Sequence, residues 1–450
     1  MITWRNGTVS GTRREWTGAI ELDVSVDGAQ VLALAYPALT GRPRAGDRVL
    51  LNTTALDLGL GTGSYALVVA VPDRLPPDPE LAGHLVKARY TPLQATVAGA
   101  EEQGSPHYDV LRDADDISGM PVVVADLHSA LPAVLAGALP SAERPAAGAP
   151  RPGETDPVPA PRIVYVMQDG AALPVWFSRT CAALKDAGWL AAIVTTGQSF
   201  GGDLETVTLH SGLLAARHVL GADIAVVAQG PGNLGTGTRW GLSGVAAGEA
   251  VNAAAALGGR PVASLRVSGS DPRERHRGIS HHSLTAYGRV ALARADVVVP
   301  DLPGEFGALG AQVAAGAARL GPRHSVITVA ASQPASRSAA QVRENQAGRA
   351  PPSCMTYTTR GAPDEAGRPA QLRSAEKSPA STAGRAECRS ATTTGIPPMS
   401  SASRSTLWCG EPCSSAPSTV ACSGEYRALT RWPPGSGSGG SRSGTAMTRA

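Results

Sequence analysis

The chain has 450 residues, 40 Lys and Arg against 37 Asp and Glu for a net charge of +3, and only 4% aromatic residues. That length allows two or three domains, and the near balance of charge argues against a dedicated nucleic-acid binder. The most apolar stretch, starting at Pro121, is broken by Asp126, His128 and Pro132 within the ~20 residues a spanning helix needs, so no membrane segment is expected.

Residues 1–100 read as short strands and tight turns. Asn6-Gly7 and Asp27-Gly28 are hairpin signals, and Gly46-Asp47 precedes the apolar run RVLLN. Small β-barrels are built this way. The segment LVKARYTPLQATV, 85–97, alternates well enough to be a closing or connecting strand, with Lys87 and Arg89 sharing one face, ordinarily a solvated one.

From residue 115 to 330 the rhythm changes to strand, loop, helix, repeated. PVVVAD, RIVYVM, LAAIVT, DIAVVAQ, PVASLRV, DVVVP and SVITVA are apolar strand cores. Between them lie helix-like segments such as VWFSRTCAALKDAG, DLETVTLHSGLLAARHVL and GEAVNAAAALGG. The expected fold class is therefore α/β, a mostly parallel sheet with helices on both faces, behind a β-barrel-like N-terminal domain. A Pro-rich insertion at 141–161 can form neither helix nor strand.

Beyond residue 331 only Val342, Leu372, Ile396, Leu407, Val420 and Leu429 could build an aliphatic core, so 331–450 is expected to be a disordered tail. It holds 14 Lys or Arg against 7 Asp or Glu, and five of the six cysteines but none of the histidines. Its cysteines lack the paired spacing of a zinc module. With no apolar leader at the N-terminus, a secreted disulfide framework is not expected either, and the protein reads as soluble and cytoplasmic. The Arg, Ala, Pro, Ser, Gly and Thr mixture resembles GC-rich coding sequence read out of frame, and a frameshift near Val329 would produce it.

In open α/β sheets ligands collect beyond the carboxyl ends of the strands. Asp169 follows RIVYVM, and Asp203 follows LAAIVT at a distance. The loop after DIAVVAQ carries Gly230, Gly232, Gly235, Thr236, Gly237, Thr238 and Arg239, glycines that would let backbone amides approach an anion. Its GPGNLG has GxGxxG spacing. A dinucleotide fingerprint, however, runs straight into its helix, whereas about seven residues separate Gly235 from the expected cap at Ser243.

The most heavily loaded segment is DPRERHRGISHHSLT, 271–285. Ser280 is a plausible N-cap that puts His281 and His282 in a first helical turn, where amides and the helix dipole favour an anion and keep imidazoles neutral. Arg273, Arg275 and Arg277 add charge beside His276. A metal site is the competing reading. It has ligand atoms, but adjacent histidines on a helix point about 100° apart and the i, i+4 partner of a zinc helix is missing. Helix capping and surface pairing form the third reading. Ser243 lacks a nucleophile elbow, and Cys181 sits on an apolar helix face where a thiol is inert.

The segments GPGNLGTGTRWGLSG, GEAVNAAAALGGRPVASLRVSGSDPRERHRGISHHSLTAYGRVALARA and MPVVVADLHSALPAVLAG together resemble an actinobacterial domain-of-unknown-function family, number 3866. The resemblance covers most of 1–330, carries no activity, and implies a further folded segment after Val329 that this sequence lacks. The functional expectation is an enzyme or enzyme-like binder of a small anionic metabolite. Arg239, Arg273 and Arg277 would hold the anion, His281 or His282 would move a proton, and Asp169 or Asp203 would orient a polar group. The alternative is a non-catalytic scaffold that binds a partner through its barrel. Substrate, cofactor and oligomeric state are not encoded in any motif.

Overall fold

The computed structural model describes residues 1–59, 65–80, 83–139 and 160–330. The tail 331–450 and all but the last two residues of the 141–161 insertion lie outside them, and so do the expectations attached to those segments.

The first strands are β1 (Trp4–Trp16), β2 (Ala19–Val26), β3 (Ala29–Ala35), β4 (Arg48–Asn52) and β5 (Ala66–Ala70). Among the described residues they close a barrel in the order β1-β2-β3-β5-β4, with β1 antiparallel to both β2 and β4. Strand alternation decides its interior. Ile20, Leu22, Val24 and Val26 point inward from β2 and meet Val9, Val49, Leu51 and Val68. Asp27 and Gly28 both have positive φ, the type I′ geometry that suits a two-residue hairpin.

One end of the barrel packs against the α/β unit through aromatics. Tyr36 packs at a tilt against Trp176 and Tyr65 meets Phe177 edge-on, and the Trp16 Nε1–H donates to the Trp176 carbonyl at 2.7 Å. Gly18, in the β1–β2 turn at φ +81, lies so close to the Trp176 indole that a Cβ there would overlap the ring. Gly18→Ala is expected to cost roughly 2–4 kcal/mol, since left-handed strain and overpacking both oppose it. Urea unfolding checks this; a loss under about 0.5 kcal/mol would mean that the barrel is not seated on Trp176.

Residues 85–97 do not close the barrel. They form a separate antiparallel ribbon, β6 (Leu85–Lys87) with β7 (Ala95–Val97), because Ala88 and Tyr90 turn the chain with positive φ. Lys87, expected on a solvated face, is 1% exposed.

The α/β unit contains β8 (Pro121–Ala125), β9 (Ile163–Gln168), β10 (Ala192–Thr196), β11 (Leu204–Thr206), β12 (Ile224–Gln229), β13 (Arg260–Ser264), a small ribbon of β14 (Val267–Ser268) with β15 (Gly278–Ile279), then β16 (Asp296–Asp301) and β17 (Ser325–Ala330). Among the described residues eight of these form one sheet, ordered β11-β10-β9-β12-β8-β13-β16-β17, and every pairing in it is parallel. Period-2 alternation splits the core into two layers. Ile163, Tyr165, Met167, Val226 and Ala228 face the helices Leu131–Ala138 and Arg179–Asp186. Val164, Val166, Ala225 and Val227 face Leu209–Leu214, Ala246–Ala256 and Gly307–Ala318. Helices therefore cover both faces, as a parallel sheet requires.

DLET, expected to begin a helix, instead leads into the edge strand β11 at Leu204; the helix starts only after Thr208, whose side chain caps it. Ser243 opens a short 3-10 turn, Ser243–Val245, instead of capping the helix that follows.

The sheet order places the site. The chain leaves β8 towards β9 through a helix on one face and leaves β12 towards β13 through a helix on the other. These neighbours diverge at their carboxyl ends, the switch point where open α/β sheets form a crevice.

Candidate functional site

Asp126 stands directly after β8 and Gln229 is the last residue of β12; each is 3% exposed. In the amide orientation that satisfies its neighbours, the Gln229 NH2 donates to Ser243 Oγ (2.8 Å) and to the Gly170 carbonyl (3.2 Å), while its oxygen accepts from Gly244 N (3.2 Å). One buried side chain thus ties together the loops after β9 and β12. Asp126 Oδ2 accepts from Ser283 Oγ at 3.0 Å, and its carbonyl accepts from Asn233 Nδ2 at 3.2 Å, joining the histidine segment to the glycine loop. Burial pushes the Asp126 carboxyl up to about 6.

The glycine loop is not an open amide cradle. It folds back as a small hairpin in which Thr236 N donates to Gly241 O (2.8 Å) and Ser243 N donates to Leu234 O (2.9 Å). Thr238 Oγ1 lies 3.0 Å from Thr236 Oγ1 and accepts from Gly241 N, so both threonine hydroxyls serve the hairpin itself. Gly230 packs near the Ala172 carbonyl, and Gly232 and Gly237 adopt positive φ. Gly235 pairs with Leu242 across the hairpin, and the exposed tip carries Arg239.

The histidine segment is held by the β14–β15 ribbon, which turns at Gly278 with φ +64 and returns His276 towards the helix His281–Thr285. Ser280 is the N-cap, as its sequence position suggests. Its Oγ accepts the His282 N–H (3.2 Å) and also contacts His276 Nδ1 (2.8 Å). That first-turn amide is therefore already taken. Asp271 lies beneath, bound to Arg266 Nη2 (3.1 Å) and to Arg273 Nε and Nη2 (both 3.0 Å). The Arg273 guanidinium holds the Asp271 carboxyl well below the usual carboxylate range. Arg277 Nε donates to the Asp271 carbonyl.

The three imidazoles meet. Ring centroids are 4.1 Å apart for His281 and His282, 4.8 Å for His276 and His282, and 5.1 Å for His276 and His281. The expected divergence of adjacent histidines fails because both rings close on His276, which arrives from outside the helix. Among the described residues, buried His281 Nε2, His282 Nδ1 and His282 Nε2 have no hydrogen-bond partner. Burial, reinforced by Arg266 and Arg273, pulls His276 down to about 4. Burial and the neighbouring histidines pull His282 to about 3, and His281 is lowered by burial, then by Arg275, Arg266 and Arg239. At neutral pH all three rings are uncharged, each with a lone pair to give a proton or a cation.

Arg275 comes across to the hairpin, where a Cβ on Gly237 would sit 3.4 Å from its Nη2. Among the described residues neither Arg239 nor Arg275 has an ion-pair partner. Sequence reasoning named Arg273, with Arg239 and Arg277, as an anion holder, but Asp271 pairs with the Arg273 guanidinium.

The two acidic candidates lie elsewhere. Asp169 Oδ2 accepts from Gln198 N at 2.8 Å and fixes the loop after β10. Asp203 pairs with Lys185 and accepts from Ile193 N, near the start of β10 instead of its carboxyl end. His128, also after β8, is fully engaged: Nδ1 meets Tyr165 OH (3.2 Å) and Nε2 meets Ser178 Oγ (2.7 Å). Tyr165 OH donates to the Gln229 carbonyl, and burial pushes His128 down to about 4. Cys181 is buried, which raises its thiol to about 12 and makes it a poor nucleophile.

Asp126, Gln229, Ser283 and Arg266 were missed as site residues. The rule that polar residues at or directly after a strand's carboxyl end face the ligand edge would have found the first two; nothing local marks the others.

The family described as "Protein of unknown function (DUF3866)" matches residues 32–353. The chain belongs to the DUF3866 family. Its match spans the whole parallel sheet, the glycine hairpin and the histidine segment, and leaves 1–31, with the first two barrel strands, and 354–450 outside. No curated protein matches this DUF3866 chain. No helix among the described residues is long and apolar enough to cross a membrane.

Proposed function

We propose that this DUF3866 protein binds a small anionic metabolite, as an enzyme or enzyme-like binder, where the 230–244 hairpin meets the 271–283 segment. The observation that carries the reading is the pair Arg239 and Arg275. They come from separate segments, both act on His281, and neither is matched by an acid among the described residues. Arg266 and Arg273, by contrast, share Asp271. Two uncompensated guanidiniums beside neutral imidazoles suit a carboxylate or phosphate, because the guanidinium fork binds such groups bidentately and a neutral imidazole can accept a proton from the bound molecule. Arg277, exposed at the rim, adds steering charge.

The scaffold alternative has the exposed Ile2, Trp4 and Leu58 of the barrel in its favour. The barrel's aromatic end, however, is already covered by Trp176 and Phe177.

A thermal-shift screen of phosphorylated and carboxylated metabolites tests the reading. Arg239→Ala with Arg275→Ala should weaken the bound hit at least tenfold, removing about 1.4 kcal/mol of ligand-induced stabilisation. The free protein should lose little, since exposed charges contribute little to folding. An undiminished shift in the double variant, or one insensitive to added salt, would refute anion recognition by these arginines.

A further inference from the structure

We propose that His276, His281 and His282 form a binding site for one late first-row divalent cation of the zinc type. Their ligand atoms all lie within 4.8 Å of one another, the grouping expected of an imidazole-lined metal centre. The inference goes beyond the anion reading and stands without it.

The burial of His282 carries the argument furthest. This side chain is 8% exposed, yet both of its ring nitrogens are without a partner among the described residues. Withdrawing polar atoms from water without a replacement bond is costly, so an imidazole held in this way calls for a compensating ligand. His281 Nε2 shares the condition. His128 in the same chain shows what a structural buried histidine looks like, with both nitrogens engaged.

His276 supplies the third donor in an orientation suited to a metal. Its Nδ1 is 2.8 Å from Ser280 Oγ, which also accepts the His282 amide. A serine oxygen can accept twice. With Nδ1–H donating to Ser280, the lone pair of His276 is on Nε2, free to face the other two rings. A hydrogen bond to the far nitrogen is how proteins fix the tautomer of a metal-binding histidine. Four-coordinate binding with metal–nitrogen bonds of about 2.0–2.1 Å requires nitrogens roughly 3.3 Å apart. Closing the observed spread takes rotation about χ2, a soft torsion in histidine.

Charge sets the fourth ligand. Three neutral imidazoles leave the full +2 on the ion, and Arg239, Arg275 and Arg266 act on the same cluster. A centre so positive is completed by an anion, hydroxide or an acidic substrate group, and it lowers the pKa of a bound water.

The test uses untagged full-length protein, stripped with a chelator and titrated with Co2+ and then Zn2+ in a buffer free of multivalent anions. One equivalent of Co2+ should bind with visible d–d absorption, and one equivalent of Zn2+ should displace it. His281→Asn and His282→Asn should each weaken Co2+ binding tenfold or more. Ser280→Ala should weaken it about 10–100-fold, with Ser280→Thr restoring it, because a lost partner of the ligand acts through the ligand. Wild-type binding weaker than about 1 µM, or binding unchanged in the histidine variants, overturns the proposal. A thiolate charge-transfer band that persists in those variants would assign the metal to cysteine and overturn it equally. If a histidine variant fails to fold, the wild-type titration and the Ser280 pair still decide. Arg239→Ala with Arg275→Ala removes two cations from beside His281, so Co2+ affinity should be kept or rise, while an anion response undiminished in that variant would sink only the anion reading.

Discussion

Lowering the pH from 7 to 5 is expected to remove about 2 kcal/mol of folding stability from the metal-free protein, starting below pH 6.5. His128, His276 and His282 are held neutral by burial, at about 4, 4 and 3, against an ordinary value of 6.5. Between the folded and unfolded values the unfolded chain binds more protons, so acid favours unfolding. At pH 5, 1.5 units below the unfolded value, a fully buried His128 accounts for about 2 kcal/mol. His276 and His282 together add a comparable amount, discounted because the neighbouring His281 is partly exposed and water can relax around the cluster. Asp126 has the opposite sign. Raised to about 6, its carboxyl takes up a proton more readily in the folded state, which returns about 1.4 kcal/mol over the same window. The raised Glu205 acts in the same sense as Asp126. Urea titrations at pH 7, 6 and 5 read the slope directly. A stability that is flat or rising towards pH 5 would show that these imidazoles protonate freely within the fold.

The sheet was legible because burial on both faces gives short, nearly continuous apolar strands that alternate with helical segments. Residues Ile163–Gln168 are apolar almost throughout, as a strand covered on both sides needs, and the run is too short for a buried helix. The histidine segment stood out for a similar reason, since so much charge in one loop has few purely structural uses. Partners across the fold were hidden. Spacing within 271–285 predicts that His281 and His282 diverge along a helix, and it cannot show that the Gly278 turn brings His276 back so that all three rings meet. Nor could it separate Arg273, which Asp271 pairs, from Arg275, which reaches the hairpin; both are arginines two residues apart in one loop. Asp169 obeyed the positional rule and still holds a neighbouring loop, because the edge of a wide sheet is longer than one site. The largest misreading was Lys87, whose alternation with Arg89 described a strand face but gave no sign of what covers it.

Lys87→Met is expected to destabilise the protein by about 3–5 kcal/mol, the most severe single substitution among those considered. Lys87 is 1% exposed, donates to the Gly197 carbonyl at 2.8 Å and stands 3.4 Å from Glu205 Oε2. Glu205, on the edge strand β11, also accepts from Thr195 Oγ1 and Gly201 N. Ala100 N donates to the Glu205 carbonyl, so this one residue fastens the 85–100 segment to the sheet edge through both side chain and backbone. Removing the ammonium leaves a carboxylate that burial already pushes upward, now without the cation that holds it down. The double variant Lys87→Met with Glu205→Gln should recover most of the loss, because the glutamine oxygen can still accept from Gly201 and no buried charge is left unpaired. The pH dependence gives a second signature. With its folded-state pKa raised further, Glu205 in the single variant contributes stability at low pH that is lost as pH rises, so the deficit relative to wild type should shrink from pH 7 to pH 5. A single-variant loss under about 1 kcal/mol, with no recovery in the double, would mean that water reaches this pair and that the ribbon is held to the sheet by its backbone contacts alone.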